Sequence, residues 1–424
     1  MEILVVCLPF AGHVGPLAAV AGELVARGHR VVAYTGVKHR MRFERVGARW
    51  APWVHAQDFD DADLAATFPK VGNGKGMAAQ MANMRDILVG TAAGQAVDIV
   101  AAAKTTPFDL VVSDQLAVGA PVGAEALGLP WVTVCVTPLG LSSRYLPPFG
   151  LRLAPATSAA GRARDAVLRA LVSSTQRAMF TRPVNRLRAA HGLGAAAVPG
   201  PDGQHSPWLV LAQGVPGLEY QRPDLPSHVH FVGRLAGGPA TREPPSWWDE
   251  LRAARTRGEP VVHVTQGTLD TDPDDLLRPV MRAVTDAVVV LTTGGAPVET
   301  LGPLPAHVYA APFIAHDELL PLVDVVVSNG GWGGVLAAVE AGVPLVVAGD
   351  TLDKPEVARR VAWSGAGLDL RTGRPKPAAL SAAVHRVLNE PSFRARAREL
   401  STAMHAAGGV KAAGDLIEEL KRSG

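Results

Sequence analysis

A run rich in glycine, Asn329-Gly330-Gly331-Trp332-Gly333-Gly334, stands between a β-branched stretch, Val323 to Val327, and a helix-forming stretch that ends before Gly342. Glycines at a strand-to-helix turn let backbone approach a ligand closely, and the helix start behind them presents unpaired N–H groups at its positive end. That pattern suits the binding of phosphate or diphosphate. A second reactive feature is His13, in the segment Pro9-Phe10-Ala11-Gly12-His13-Val14-Gly15-Pro16 that follows the apolar stretch Glu2 to Leu8. Imidazole titrates near neutral pH, so a histidine at the C-terminal end of a strand is placed to take a proton. Asp114 ends the apolar run Leu110 to Ser113 and is expected at the same sheet edge as His13. It serves there either to orient the imidazole or to cap a helix expected over 118–127.

These residues require βα units to position them. Residues 2–8 (EILVVCL) read as a strand and Pro9 to Pro16 as its loop. A helix through Leu17, Val20 and Leu24 then stops at Gly28, and VVAYT forms the next strand. This β-loop-α-β order opens a doubly wound α/β domain. In the second half a strand, the glycine turn, a helix over 335–341, Gly342-Val343-Pro344 and a strand over 344–348 repeat the unit. Helices are also expected over 77–103, 273–286, 377–388, 392–406 and 409–420. Long irregular stretches are expected at 57–76 and 137–160, and long loops in compact domains tend to be functional.

The chain has 424 residues, enough for more than one core, and 48% of them are hydrophobic. With 41 basic and 39 acidic residues the formal net charge is only +2, and no Lys/Arg block stands out, which argues against nucleic acid as a partner. The 2 cysteines, Cys7 and Cys135, fall inside expected strands, as buried free thiols of a reducing compartment do. No long uninterrupted apolar segment and no leader pattern is read, so the expectation is a cytoplasmic protein without integral membrane contact. The first loop lacks G-x-G-x-x-G, and no G-x-x-x-x-G-K-[ST] occurs, which counts against NAD and ATP. Neither HExxH nor CxxC occurs, and Asp58-Phe59-Asp60 reads as a solvated loop run, so no metal site and no cofactor are expected.

The stretch 323–360 resembles the nucleotide-sugar signature of the GT-B glycosyltransferases of family 1. Gly330-Gly331, Gly342-Val343-Pro344 and Asp353 match it, and Lys354 stands where glutamine is usual. Asn329 replaces the usual phosphate-binding histidine, Gly334 a hydroxyl residue, and Ala337 the glutamate that many UDP-sugar enzymes use on ribose. The FAGHVGP loop is similar to the family's N-terminal signature. Gln266-Gly267-Thr268 resembles its diphosphate-contacting loop, and Ala311-Pro312-Phe313-Ile314 its base-stacking segment.

The resemblance implies an α/β protein of GT-B fold, with two Rossmann-like doubly wound parallel-sheet domains facing across a cleft. It divides the chain into an acceptor domain, 1–219, a nucleotide-sugar domain, 220–408, and a helix, 409–424, that crosses back. It implies an inverting, metal-independent transfer from a UDP- or dTDP-sugar to a hydroxyl of a lipophilic natural product. His13 would be the base, held by Asp114. Thr268, Phe313, Ile314, Asn329, Gly330, Gly331, Trp332, Gly333, Gly334, Asp353 and Lys354 would meet the donor. Phe10, Met77, Met81, Leu139, Leu146 and Phe149 are candidates for an apolar acceptor pocket. A monomer or homodimer is expected. A nucleotide-sugar 2-epimerase and a non-catalytic glycosyltransferase-like activator are the alternative readings.

Overall fold

The computed structural model describes residues 1–69, 71, 81–237, 243–267 and 272–423. They form two α/β domains, each around a parallel sheet. The first sheet is 7-stranded, in the order β3-β2-β1-β4-β5-β6-β7. Its strands are β1 (Glu2–Val6), β2 (Arg30–Tyr34), β3 (Arg49–Ala51), β4 (Leu110–Asp114), β5 (Trp131–Cys135), β6 (Leu209–Ala212) and β7 (Val229–Phe231). The second is 6-stranded, in the order β10-β9-β8-β11-β12-β13. It comprises β8 (Val261–Thr265), β9 (Val288–Thr292), β10 (Val308–Ala311), β11 (Val325–Ser328), β12 (Leu345–Val347) and β13 (Gly367–Asp369). The near-continuous Val/Ile/Leu character of β1, β4, β8, β9 and β11 follows from burial on both faces, since helices cover each side.

The strand orders fix where ligands can sit. In each sheet the central strand is flanked by partners reached in opposite directions: β1 lies between β2 and β4, and β8 between β9 and β11. Loops leaving the carboxyl ends of such strand pairs diverge and leave a crevice. Val6 pairs with Ser113, and Thr265 with Ser328, so the segments that start at Cys7, Asp114, Gln266 and Asn329 open onto these two crevices.

Several expected boundaries move. The helix after β1 is Ala11–Ala26, so His13 stands in a first helical turn and not in a loop. Pro16 lies inside that helix, where the missing N–H forfeits a single bond, to Gly12. The expected helix over 77–103 is broken at Gly90 into a π-helical segment, Asn83–Val89, and an α-helix, Ala92–Thr105. The run Asn83–Thr105 has the length and apolarity to cross a membrane. Here it is a packing element of the first domain: its buried Asp98 accepts from Tyr34 Oη at 2.7 Å and from the N–H groups of Val54, His55 and Ala56. The helix expected over 273–286 shortens to Leu277–Ala283.

A division at 219/220 falls too early, because β7 belongs to the first sheet. Val215 and Leu218 pack into the second domain's core while Val232 and Leu235 pack into the first, so the chain crosses more than once in this region. The helix Gly409–Ser423 lies on the first domain: Ala413 and Ile417 join its core, and Arg27 holds Asp415 at 2.7 Å and Glu418 at 3.1 Å.

Candidate active site

At the β1/β4 crevice, His13 Nδ1 lies 2.7 Å from Asp114 Oδ2. The carboxylate is itself fixed, accepting from the backbone N–H of Leu8 at 3.2 Å and of Leu116 at 3.0 Å. A carboxylate of this kind only accepts, so Nδ1 carries the proton and Nε2 is left as the free acceptor. A charge-assisted bond of this type is worth about 1.5–3 kcal/mol and fixes ring orientation as well as tautomer. Asp114 thus meets the imidazole and also holds the turn that leads to the helix Gly119–Ala126, joining the two roles its position suggested.

Burial pulls the His13 imidazole down, but Asp114, with Asp353 and Asp61 at longer range, raises it more, and the ring ends above the ordinary 6.5. Asp353 belongs to the second domain, so the two domains face each other within electrostatic reach at this point. Burial pushes Asp353 above the usual carboxylate range, against the opposing pull of Lys354 and His13. Asp61 was not singled out in the sequence. Its carboxylate accepts from the Ala11 N–H at 2.6 Å, tying down the first turn that carries His13. Its neighbour Phe59 is buried among Trp53, Phe68 and Phe10, so of the run 58–60, read as solvated, Asp60 is exposed and Asp58 half-buried while the aromatic ring is enclosed.

At the β8/β11 crevice the helix begins at Trp332, with Gly331 as its N-cap. Gly333 and Gly334 therefore belong to the first helical turn, whose N–H groups have no intrahelical acceptor. Gly330 has φ +90°, and a Cβ there would meet Val347 at 3.0 Å, so glycine is required. Asn329 is buried; its Nδ2 donates to the Gln266 carbonyl, which links the loops after β8 and β11 and leaves Oδ1 without a partner among the described residues. Trp332 is only 4% exposed and packs in the core beside Gly214, so its indole does not line the crevice and only its backbone faces the turn.

Phe313 is 43% exposed, its ring against the Gly294-Gly295 turn, as a stacking surface requires. The Ile314 side chain instead packs on the second domain's core. Lys354 is buried, with Nζ 3.0 Å from Thr351 Oγ1. Thr268 and Met77 lie outside the described residues.

Of the residues expected to border an acceptor, the Phe10 ring sits 5.2 Å from the His13 ring and 5.1 Å from Phe59. Met81 is half-buried. Leu139 and Leu146 are buried, Leu139 among Cys135, Val210 and Ala212, so both are packing residues and not open walls. Phe149 is 39% exposed and lies under the Arg360 guanidinium at 5.7 Å.

Arg360 belongs to a group the sequence did not disclose. It is 2% exposed; its Nε contacts Glu219 at 2.8 and 2.9 Å, its Nη1 contacts Glu356 at 2.7 Å, and Tyr220 stacks on it at 4.5 Å. Glu356 also accepts from the Gly150 N–H at 2.9 Å, which fastens the 137–158 segment of the first domain to the helix Lys354–Ser364 of the second. Among the described residues no group of three or more His, Cys, Asp or Glu side chains could hold a metal ion.

Residues 278–417 match the family described as erythromycin biosynthesis protein CIII-like, C-terminal domain. The chain is 41% identical over 422 residues to 4'-demethylrebeccamycin synthase of Lentzea aerocolonigenes, covering 99% of each chain. It is 31% identical to UDP-glycosyltransferase 2 of Phaeomoniella chlamydospora, covering 99% of this chain and 95% of that one. Among solved structures, the glycotransferase of kitacinnamycin superposes with a TM-score of 0.75 at 24% identity, over 99% of this chain and 98% of that one.

Proposed function

Because the chain belongs to the family 1 glycosyltransferases of GT-B fold, alongside enzymes of natural-product biosynthesis, we propose that it is an inverting enzyme using His13 as base. The donor is a UDP- or dTDP-sugar and the acceptor a hydroxyl of a lipophilic natural product. The observation that carries this reading is the His13–Asp114 pair at 2.7 Å, set across from Asp353 of the second domain. His13 Nε2 takes the acceptor proton, the oxygen attacks the anomeric carbon from the face opposite the diphosphate, and the configuration inverts. Charge developing on the leaving diphosphate is met by the helix start at Trp332 to Gly334, with Asn329 in the turn before it and no metal; Thr268 is assigned to the diphosphate on the sequence resemblance alone. Phe313 stacks on the base, and Asp353, with Lys354 behind it, holds sugar hydroxyls. Phe10, Met81 and Phe149 border the acceptor.

The oriented imidazole favours catalysis over a non-catalytic activator, since a binding protein has no use for a base held in one tautomer. The reaction is assigned to the cytoplasm, where the free thiols of Cys7 and Cys135 persist.

The test is release of UDP or dTDP from its sugar conjugate with a panel of lipophilic acceptors, with and without EDTA. His13→Ala is expected to lose on the order of 10²–10⁴-fold in turnover while donor binding persists, and EDTA to change nothing. Wild-type turnover by His13→Ala sinks the base assignment. Donor conversion without an acceptor moves the reading to an epimerase.

A further inference from the structure

Away from the catalytic crevices, a cavity of about 420 Å³ opens between the domains. The first domain contributes residues 152–158, Gly161 and Arg164; the second contributes Arg359 and Arg371. Of the eleven described residues that line it, four are arginine and none is acidic, in a chain whose basic and acidic residues nearly balance. It shares no residue with the catalytic constellation. Arg359 follows Lys354 by five positions on the same helix, about 8 Å along its axis and about 140° around it.

We propose that this cavity is a second ligand site, for a compact multivalent oxyanion carrying phosphate or several carboxylates. Beneath the lining, Asp369 anchors one guanidinium group and only loosely pairs a second: Arg152 Nη2 donates to its Oδ1 at 2.8 Å, while Arg359 Nη1 lies 3.6 Å from Oδ2, which has no hydrogen-bond partner among the described residues. One buried carboxylate positions these two cations without neutralising both. Arg152 Nε and Arg359 Nε are enclosed and have no acceptor among the described residues, so the protein leaves both guanidinium groups short of acceptors. Arg164 is partly offset by Asp165, at 2.7 Å, while Arg371 is exposed at the rim.

The helix Ala159–Gln176 starts at the cavity wall with Ser158 as its N-cap, adding the positive end of an 18-residue helix to the guanidinium groups. Arg152 and Arg371 have φ +53° and +58°, and they account for two of the three non-glycine residues in the left-handed region among those described. Such conformations persist where the surroundings enforce them. Forked guanidinium donors pair with phosphate and carboxylate oxygens two at a time. No aromatic side chain lines the cavity, so nothing there would stack on a nucleobase, and the volume is that of a small-molecule pocket. A bound polyanion bridges Arg152 and Arg164 to Arg359 and Arg371, and so fastens the two domains together.

The probe is inorganic pyrophosphate, titrated calorimetrically into the full chain at constant ionic strength, with UDP and dTDP both present in excess to occupy the donor crevice. The wild-type protein is expected to bind one pyrophosphate that Arg359→Ala/Arg371→Ala loses or binds at least about tenfold more weakly. Arg371→Ala alone, at an exposed position, is expected to weaken it in the same direction without altering the melting temperature. Arg386→Ala, which removes an exposed arginine outside the cavity, is expected to leave it unchanged. Identical titrations of the wild type and the double variant, with or without binding, overturn the proposal.

Discussion

Asp114→Asn preserves the shape of the side chain and removes its charge, which makes it the sharpest probe of the His13 assignment. In the wild type the carboxylate can only accept from Nδ1, at 2.7 Å, and Nε2 stays free. An amide offers an N–H to Nδ1 instead, which transfers the ring proton to Nε2 and removes the base. The charge matters as much as the tautomer. An opposite charge at this range is worth about 1–3 pH units, or about 1.4–4 kcal/mol, in favour of the imidazolium.

Burial, which pulls His13 down, is unaffected by the substitution. The base acts in its neutral form, so wild-type kcat/KM rises as pH climbs through the raised His13 value. In Asp114→Asn the acid limb is expected to move down by about 1–3 pH units, while the plateau falls by up to about 10²–10⁴-fold. The assay is nucleotide release across the range from about pH 5 to pH 9, with melting curves to confirm folding because the Leu8 N–H loses an acceptor. A variant whose acid limb stays in place, with a plateau within about threefold of the wild type, refutes the pairing as the device that sets the base.

Two further tests concern stability. His263, in β8, points into the second domain with Nδ1 3.0 Å from the Val290 carbonyl, and burial holds its pKa at about 3. An unfolded histidine titrates near 6.5, so the unfolded chain takes up a proton that the folded one refuses; stability is full above that value and falls as pH drops toward 3, by about 2 kcal/mol at pH 5. Thermal melts at pH 5 and pH 7.5 should show the difference in the wild type and a smaller one in His263→Leu, and equal differences would clear the ring of this role. Arg360→Met leaves Glu219 and Glu356 buried without their cation, a loss of about 3–5 kcal/mol. The melting temperature should fall by on the order of 10 °C, with proteolysis newly admitted in the 137–158 segment, and an unchanged melt would show that the domains are fastened elsewhere.

The two βα units that carry the site were legible because their signals are local. Buried parallel strands show as apolar runs, and a turn that needs φ above zero shows as glycine, as at Gly330. The pairing of His13 with Asp114 was also within reach, since both close strands of one sheet. What sequence reasoning missed depends on contacts between distant segments. Arg360 meets Glu219 across 141 positions and Leu139 across 221, and no periodicity connects them. Asp61 reaches Ala11 across 50 positions from a loop whose composition looked solvated. Leu139 and Leu146 were misplaced for a related reason: apolar residues in an irregular stretch look the same whether they line a pocket or fold back on the core, and burial alone separates the cases.

Asn329 shows how a departure from a motif can be absorbed by the backbone around it. Its Nδ2 is committed to the Gln266 carbonyl, so it ties the loop after β8 to the loop after β11 and has no charge to offer a diphosphate. The turn it belongs to is then held from behind. Gly349, after β12, approaches so closely that a Cβ there would fall 1.9 Å from the Asn329 carbonyl oxygen, and Gly330 lies against Lys354 and Val347. A turn locked on both sides keeps the N–H groups of Trp332 to Gly334 fixed in direction, and donors that need no reorganisation stabilise developing charge most effectively. In the proposed mechanism rigidity would then replace the histidine usual at this position: charge on the leaving group would be met by a helix start that packing, and not a side-chain cation, holds in place.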